Sequence, residues 1–310
     1  MVVADTTAHT PVMLTDVLQQ LEFVPDGRYL DLTFGRGGYA RAMLERMQGG
    51  ELVVCDQDPD AIAVANALAE QDSRVTPVAA NFGELAHSAV IQAAPFDGIV
   101  ADLGVSSPQL DRAERGFSFR LDGPLDMRMN PAAGQSAAQW LAEVPTHELI
   151  RVLQRLGEDP QARRIGLAIA RAREAEPITT TQQLANIVEG AVGGRRGRRT
   201  HPATRTFQAI RMQVNRELEV LQALLDQVHD WLKPGGRLVV VSFHSLEDRA
   251  VKRMLQAGAR PKAAHPALPD PTPLWSAIGR VRCSELEAAR NPRARSATLR
   301  WGQTWTGATC

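Results

Sequence analysis

Asp31-Leu32-Thr33-Phe34-Gly35-Arg36-Gly37-Gly38 places an acid and three glycines in one short turn. Glycines let the main chain approach a ligand closely, and a helix starting behind them supplies free amide donors. Gly35 to Ala40 also satisfies the G-x-G-x-x-A spacing of dinucleotide-binding turns, so more than one nucleoside cofactor, or a plain structural turn, fits this motif alone. Asp56 narrows the choice, because an acid about twenty residues on, at the end of the next strand, can accept both hydroxyls of a ribose. Farther along, Asp102 is followed by Ser106-Ser107-Pro108, a cluster of oxygens able to accept hydrogen bonds from a substrate amine. Gly193-Gly194-Arg195-Arg196-Gly197-Arg198-Arg199 is the concentrated basic run, with glycines that let it mould to a phosphate backbone. Such a run is ordinarily a solvated loop, and at best it positions a nucleic acid rather than reading its bases. His244 stands alone; a lone histidine is more often a hydrogen-bonded structural residue than a contact to a base.

The elements that must hold these residues follow from periodicity. From Arg28 to Val100 short apolar runs alternate with helix-like stretches, the pattern of βαβ units around a parallel sheet. The strands expected are Tyr29 to Leu32, Leu52 to Cys55, Arg74 to Val78 and Gly98 to Ala101. Between them Tyr39 to Met47 and Pro59 to Glu70 read as helices, the second capped by Asp58. Phe82 falls just after the third strand, and by itself it reads as a buried core aromatic. After Ser107 the alternation stops, and Asp111 to Arg199 carries helix patterns only: Ser136 to Glu143, Thr146 to Leu156, Pro160 to Ala175 and Thr181 to Val192. Ser136, Thr146 and Thr180 or Thr181 are the expected caps, and Gly157 the expected stop. A single helix from Thr204 to Leu232 then leads through Lys233-Pro234-Gly235-Gly236 into a strand, Arg237 to Phe243. Ala277 to Arg282 and Ala297 to Trp301 are expected to close the sheet as an antiparallel pair, beyond a proline-rich loop, Pro261 to Pro273. One α/β domain, 1–110 and 201–310, is therefore interrupted by a helical one, 111–200.

Composition sets limits on partners. The chain has 310 residues, 44% hydrophobic and 23% charged, ordinary for a globular protein. Lysine plus arginine and aspartate plus glutamate both total 35, so no global charge favours nucleic acid or membrane, and any polyanion site is local. Cys55, Cys283 and Cys310 lie far apart without metal-ligand spacing, so neither zinc nor a disulfide framework is expected, and a reducing cytoplasm fits. No signal segment or membrane span is read.

The helix, Pro-Gly-Gly turn and strand at Leu232 to Leu238 resemble the approach to the fifth strand of class I S-adenosylmethionine methyltransferases, a Rossmann-like α/β fold. Against that superfamily Asp31 and Gly35, Gly37 and Gly38 flank the methionine moiety, Asp56 the ribose, Phe82 the adenine, and Asp102 the sulfonium end. Several runs then narrow the resemblance: His9-Thr10-Pro11-Val12-Met13-Leu14, Asp102-Leu103-Gly104-Val105-Ser106-Ser107-Pro108-Gln109, Gly116-Phe117-Ser118-Phe119, Gly123-Pro124-Leu125-Asp126-Met127-Arg128-Met129, His201-Pro202-Ala203-Thr204-Arg205-Thr206-Phe207-Gln208, Ser242-Phe243-His244-Ser245-Leu246-Glu247-Asp248-Arg249 and Asn291-Pro292-Arg293-Ala294-Arg295-Ser296. Together, over nearly the whole chain, they resemble the bacterial ribosomal small subunit methyltransferase H family, also called MraW.

That resemblance implies methylation of N4 of cytidine 1402, in conventional numbering, in 16S rRNA at the decoding centre, on a nearly assembled small subunit. It implies a methyltransferase domain interrupted by a helical one, and cofactor contacts at Gly37, Gly38, Tyr39, Asp56, Phe82, Asp102 and Gln109. Tyr39 stands where the family usually has histidine, so its backbone, not its side chain, is the expected contact. Leu32 replaces a small residue. For the chemistry, Asp102 or Ser106 and Ser107 are the candidate acceptors for the amine, and no metal is needed. Arg195, Arg196, Arg198 and Arg199, with His201 and Arg205, are the candidate RNA contacts, since they stand where the helical insert rejoins the catalytic domain. An NAD-dependent oxidoreductase shares the glycine turn and Asp56 but lacks a hydride-transfer constellation. A non-catalytic ribosome assembly factor and a DNA amino-methyltransferase also remain compatible, and a homodimer is compatible without being derived.

Overall fold

The computed structural model describes residues 11–194, 200–263, 265 and 268–306. The chain divides into two compact units, one formed by Met1–Gly104 and Leu218–Cys310, the other by Val105–Glu217. Along the first come α1 (Leu14–Leu21), β1 (Arg28–Asp31), α2 (Gly38–Leu44), β2 (Glu51–Asp56), α3 (Pro59–Gln71), β3 (Val75–Ala79), α4 (Ala89–Ala93) and β4 (Phe96–Asp102). The second holds α5 (Ser107–Asp111), α6 (Ala137–Glu143), α7 (Thr146–Arg155), α8 (Ala162–Ala175), α9 (Thr181–Ala191) and α10 (Ala203–Val214). The chain then returns with α11 (Glu217–Leu225), β5 (Leu232–Ser242), α12 (Ser245–Ala259), β6 (Trp275–Arg282), α13 (Glu285–Arg290) and β7 (Thr298–Thr304).

The strands form one sheet in the order β3-β2-β1-β4-β5-β7-β6, parallel from β3 to β5 and antiparallel at β7 and β6. Alternation along the strands explains its two covered faces. Tyr29, Leu52, Val54, Val100, Val239 and Val241 pack with α1, α2 and α3. Leu30, Val53, Cys55, Ile99, Leu238 and Val240 pack with α11, α12 and Trp275 on the other face. This is the α/β sheet expected from the alternating runs, in the class I methyltransferase architecture that the resemblance implied.

Asp58 does cap α3, accepting from the Asp60 amide at 3.1 Å. Thr146 does not cap α7, whose cap is Pro145, so Thr146 is the first helical residue. The long helix expected from Thr204 to Leu232 is broken. Arg216 adopts a left-handed φ of 51°, and Asn215 fills the gap with its side chain: Oδ1 accepts from the Met129 amide at 2.7 Å, and Nδ2 donates to Met127 O at 2.7 Å. Gly123 to Met129 is thereby the strap that stops α10, locked further by a bidentate Asp126–Arg128 pair. Because α10 packs on α6, α7 and α9, it belongs to the helical unit, and so does α5; the units therefore part at 104/105 and 217/218, not at 110/111 and 200/201.

Pro234-Gly235-Gly236 is a bulge inside β5 rather than a turn ahead of it. Phe96 faces Leu232 and Gly98 faces Arg237, so the intervening residues of β5 loop out. Gly235, at φ 80°, donates to Trp305 O, while Thr304 Oγ1 donates to Lys233 O at 2.6 Å. Among the described residues no helix is long and apolar enough to cross a membrane.

Candidate functional site

In an open parallel sheet the ligand crevice lies beyond the carboxyl ends of the strands where the order reverses. Here that point is between β1, which leads back to β2 and β3, and β4, which leads on to β5. β1 ends on Asp31 and β4 on Asp102, so the parallel register carries two sequence-distant acids to the same edge.

Thr33 ties them together. Its amide donates to Asp31 Oδ1 at 3.0 Å, and its hydroxyl accepts from the Asp102 amide at 2.6 Å. The glycine turn follows, with Gly35 and Gly37 at φ 55° and 76°, a conformation side chains resist. A Cβ on Gly37 would stand 2.7 Å from the Phe34 ring, and one on Gly38 2.3 Å from Pro11, so both positions require glycine. Asp56 ends β2 and binds this turn: Oδ2 accepts from the Gly35 amide at 2.8 Å and Oδ1 from the Asp58 amide at 2.9 Å. Phe82, half-buried against the core, opens a short 3-10 turn capped by Asn81, whose side-chain Nδ2 donates to Gln57 Oε1 at 3.2 Å.

The electrostatics are set by acids crowded in a dry place. Burial raises the Asp31 carboxyl to about 7, with the Thr33 amide opposing and the charge of Asp56 adding to the rise. Burial likewise pushes Asp102 well above the usual carboxylate range, reinforced by Asp31 and Glu247. Asp56 is raised by burial and held back by the amides it accepts from. The Asp102 side chain as a whole is partly exposed, but its Oδ1 is sealed from solvent, as is Asp31 Oδ2, and neither has a hydrogen-bond partner among the described residues. Buried polar atoms are nearly always satisfied, so two carboxyl oxygens without a donor single this edge out.

Tyr39 is 4% exposed, and its hydroxyl donates to Val12 O. The side chain is thus committed within the fold, and only the backbone of Tyr39 remains to meet a ligand.

Ser106, Ser107, Gln109, His201 and Arg205 lie in the helical unit. Gln109 is buried, and its Oε1 accepts from the Ser106 amide at 2.9 Å, so the pair shapes the entry to α5. Ser106 and Ser107 are both half-buried there. His201 stacks on Phe119 with centroids 4.4 Å apart, accepts from the Ala203 amide through Nδ1, and places Nε2 3.3 Å from Glu189. It thus braces the start of α10 rather than standing free for RNA. Arg205 is exposed and donates to Glu158 O at 2.7 Å. Arg195, Arg196, Arg198 and Arg199 lie outside the described residues.

Two participants escaped sequence reasoning. Thr33 sits inside the glycine motif, where a hydroxyl two residues past an acid is easily read as filler. Glu247, 2% exposed, follows His244 at the i, i+3 spacing of a helix start, a signal present in Ser242 to Arg249.

A family model described as the MraW methylase family matches residues 6–305. "Ribosomal RNA small subunit methyltransferase H" of Xanthomonas euvesicatoria pv. vesicatoria (strain 85-10) is 51% identical over 298 residues, covering 94% of this chain and 88% of that protein. The protein of the same name from Stenotrophomonas maltophilia (strain K279a) is 48% identical over 301 residues, 95% and 92% of the two chains. Among solved structures, the N-methyltransferase NodS from Bradyrhizobium japonicum WM9 in complex with S-adenosyl-l-homocysteine aligns with a TM-score of 0.43 at 11% identity, over 94% of this chain and 85% of that one, too distant a likeness to argue from. On the family match and the two relatives, the chain belongs to the MraW methylase family, and its cofactor is S-adenosylmethionine.

Proposed function

We propose that this methyltransferase acts on small-subunit ribosomal RNA in the cytoplasm, and that its target is N4 of cytidine 1402 in 16S rRNA. The relatives' shared name supports the RNA. The unpartnered Oδ1 of Asp102 at the switch point is the observation that carries the amine.

The residues present fit S-adenosylmethionine. Its sulfonium and ammonium are cations for Asp31 and Asp102, its ribose diol suits Asp56, the glycine turn leaves its backbone open, and Phe82 offers a face for the adenine. When bound, the cofactor supplies an electrophilic methyl group. What the chain must supply is position and an acceptor. A cytosine amine is a poor nucleophile because its lone pair is delocalised into the ring, so the dominant contribution is holding it in line, worth up to roughly 7 to 11 kcal/mol. A general base adds typically about 10²- to 10⁴-fold. Asp102 Oδ1 accepts a hydrogen bond from the amine and would take the proton the nitrogen releases as the N–C bond forms and the methyl carbon's bond to sulfur breaks, its electron pair staying on sulfur. Ser106 and Ser107 offer further acceptors just beyond it in the chain. A cytidine in structured RNA must leave its stack to be reached, and the helical unit is the element that recognises the particle around it.

The deciding experiment is methyl transfer by the purified protein to small subunits from a strain lacking the enzyme, with the site located by nuclease mapping and mass spectrometry. A single methyl on N4 of that cytidine is expected; a methyl elsewhere, or none, overturns the reading. In single turnovers at saturating cofactor, Asp102→Asn is expected to lose at least about 10²-fold. Full rates in both Asp102→Asn and Ser107→Ala would remove these residues from the chemistry.

A further inference from the structure

β5 pairs with β4 so that Asp102 stands opposite Val241, and β5 then runs through Ser242 and Phe243 to His244, which opens α12. His244 therefore emerges at the same carboxyl edge as Asp102, on the neighbouring strand. Its side chain is 13% exposed, yet both ring nitrogens are sealed from solvent without a hydrogen-bond partner among the described residues. Nε2 is 3.0 Å from Glu247 Oε1, close enough to feel its charge but not aligned as a hydrogen bond. Glu247 is itself fixed, with Oε2 accepting from the Phe243 amide at 3.0 Å, and it is near enough to Asp102 for their charges to interact.

A structural histidine would show the opposite pattern. His201 in this same chain shows it at Nδ1, which accepts from the Ala203 amide at 3.0 Å. An imidazole sealed from water, with Nδ1 unpartnered and Nε2 facing a carboxylate without a hydrogen bond, carries an unrelieved desolvation cost, and such a nitrogen calls for a partner supplied from outside the chain. A neutral imidazole has one donor and one acceptor nitrogen, and the carboxylate facing Nε2 draws the proton there. Nδ1 is then an acceptor. A cytosine exocyclic amine offers two N–H donors and no acceptor.

We infer that His244, oriented by Glu247, is a second hydrogen-bond acceptor for the exocyclic amine of the target cytosine, working beside Asp102. This rests on the cytidine-N4 reading above. Two acceptors hold both N–H groups and so stop rotation about the exocyclic bond, leaving the lone pair one direction in which to react. Glu247 touches no substrate in this account; it is a positioning residue that sets the tautomer of His244.

The test uses full-length protein and small subunits from a strain lacking the modification, with single-turnover methyl transfer read beside cofactor affinity by calorimetry and melting temperature. His244→Phe keeps a ring of similar volume and removes both nitrogens, while His244→Asn restores a side-chain acceptor close to Nδ1. The phenylalanine variant is expected to lose about 10- to 100-fold in single-turnover rate with cofactor affinity within about twofold of wild type, and the asparagine variant to recover about tenfold of that loss. Wild-type rates in His244→Phe overturn the inference. So does a loss of cofactor affinity in step with rate, or an asparagine variant no better than phenylalanine. Should the phenylalanine variant fail to fold, asparagine at or near wild-type rate beside a slow His244→Leu supports the contact, and equal rates in those two overturn it. A wild-type enzyme that leaves the cytidine amine unmethylated overturns the functional reading first, an outcome separate from a difference among variants.

Discussion

At the scale of residues, the site is a set of acids that the fold keeps from ionising alone. Asp31 has an ordinary value of 3.8 and is raised to about 7 by burial. Its ionised form is thus disfavoured in the folded protein, so this group lowers the stability of the cofactor-free protein as pH rises from about 4 to about 7, and has no further effect above that. A bound cation reverses the preference. Cofactor affinity is therefore expected to increase with pH through about 7, with proton release on binding at pH 6. Calorimetry in buffers of different ionisation enthalpy reads the protons directly, and Asp31→Asn should flatten the dependence; a wild-type protein with no proton release at pH 6 contradicts the assignment. The sequence singled out Asp31, Asp56 and Asp102 because acids at strand ends are visible in a pattern of apolar runs. Thr33 and Glu247 were not, because their importance lies in what they touch.

At the scale of elements, local patterning was reliable where one rule acted alone. The alternating runs placed every parallel strand to within a residue or two, apart from the early start of β5, and the capping role of Asp58 followed from its place before Pro59. It failed where distant backbone competed. The sequence from Thr204 to Leu232 is apolar at helical spacing throughout, yet the helix stops at Asn215 because that side chain satisfies Met127 and Met129 of a strap far away in the chain. Asn215→Ala removes these bonds together with one to Arg211 O, and is expected to destabilise the protein by roughly 3 kcal/mol, read by chemical denaturation. A loss below about 0.5 kcal/mol would mean the break is set by Arg216 and not by the strap.

At the scale of the whole molecule, neutral overall charge forces any RNA contact to be local. The arginines at 195, 196, 198 and 199 are the concentrated charge in the sequence, and replacing all four with alanine is expected to weaken small-subunit binding and reduce the slope of log affinity against log salt by about 3, leaving cofactor affinity intact. Filter binding across a salt series measures this; an unchanged slope removes the run from the interface. His201 has its ring engaged inside the helical unit, against Phe119 and with Nε2 3.3 Å from Glu189.

The sequence by itself determined the class of fold, the glycine turn and its acids, and the presence of a helical segment interrupting an α/β one. These depend on short-range periodicity and on residue types whose backbone or charge allows few uses. Only the tertiary structure decided that Asp31 and Asp102 share one edge through Thr33, that Tyr39 spends its hydroxyl on Val12, that the units part at 104 and 217, and that His244 is left with two unsatisfied nitrogens. Each of those depends on which distant groups meet and which are left unmet, and that is settled by sheet register and packing rather than by any local pattern.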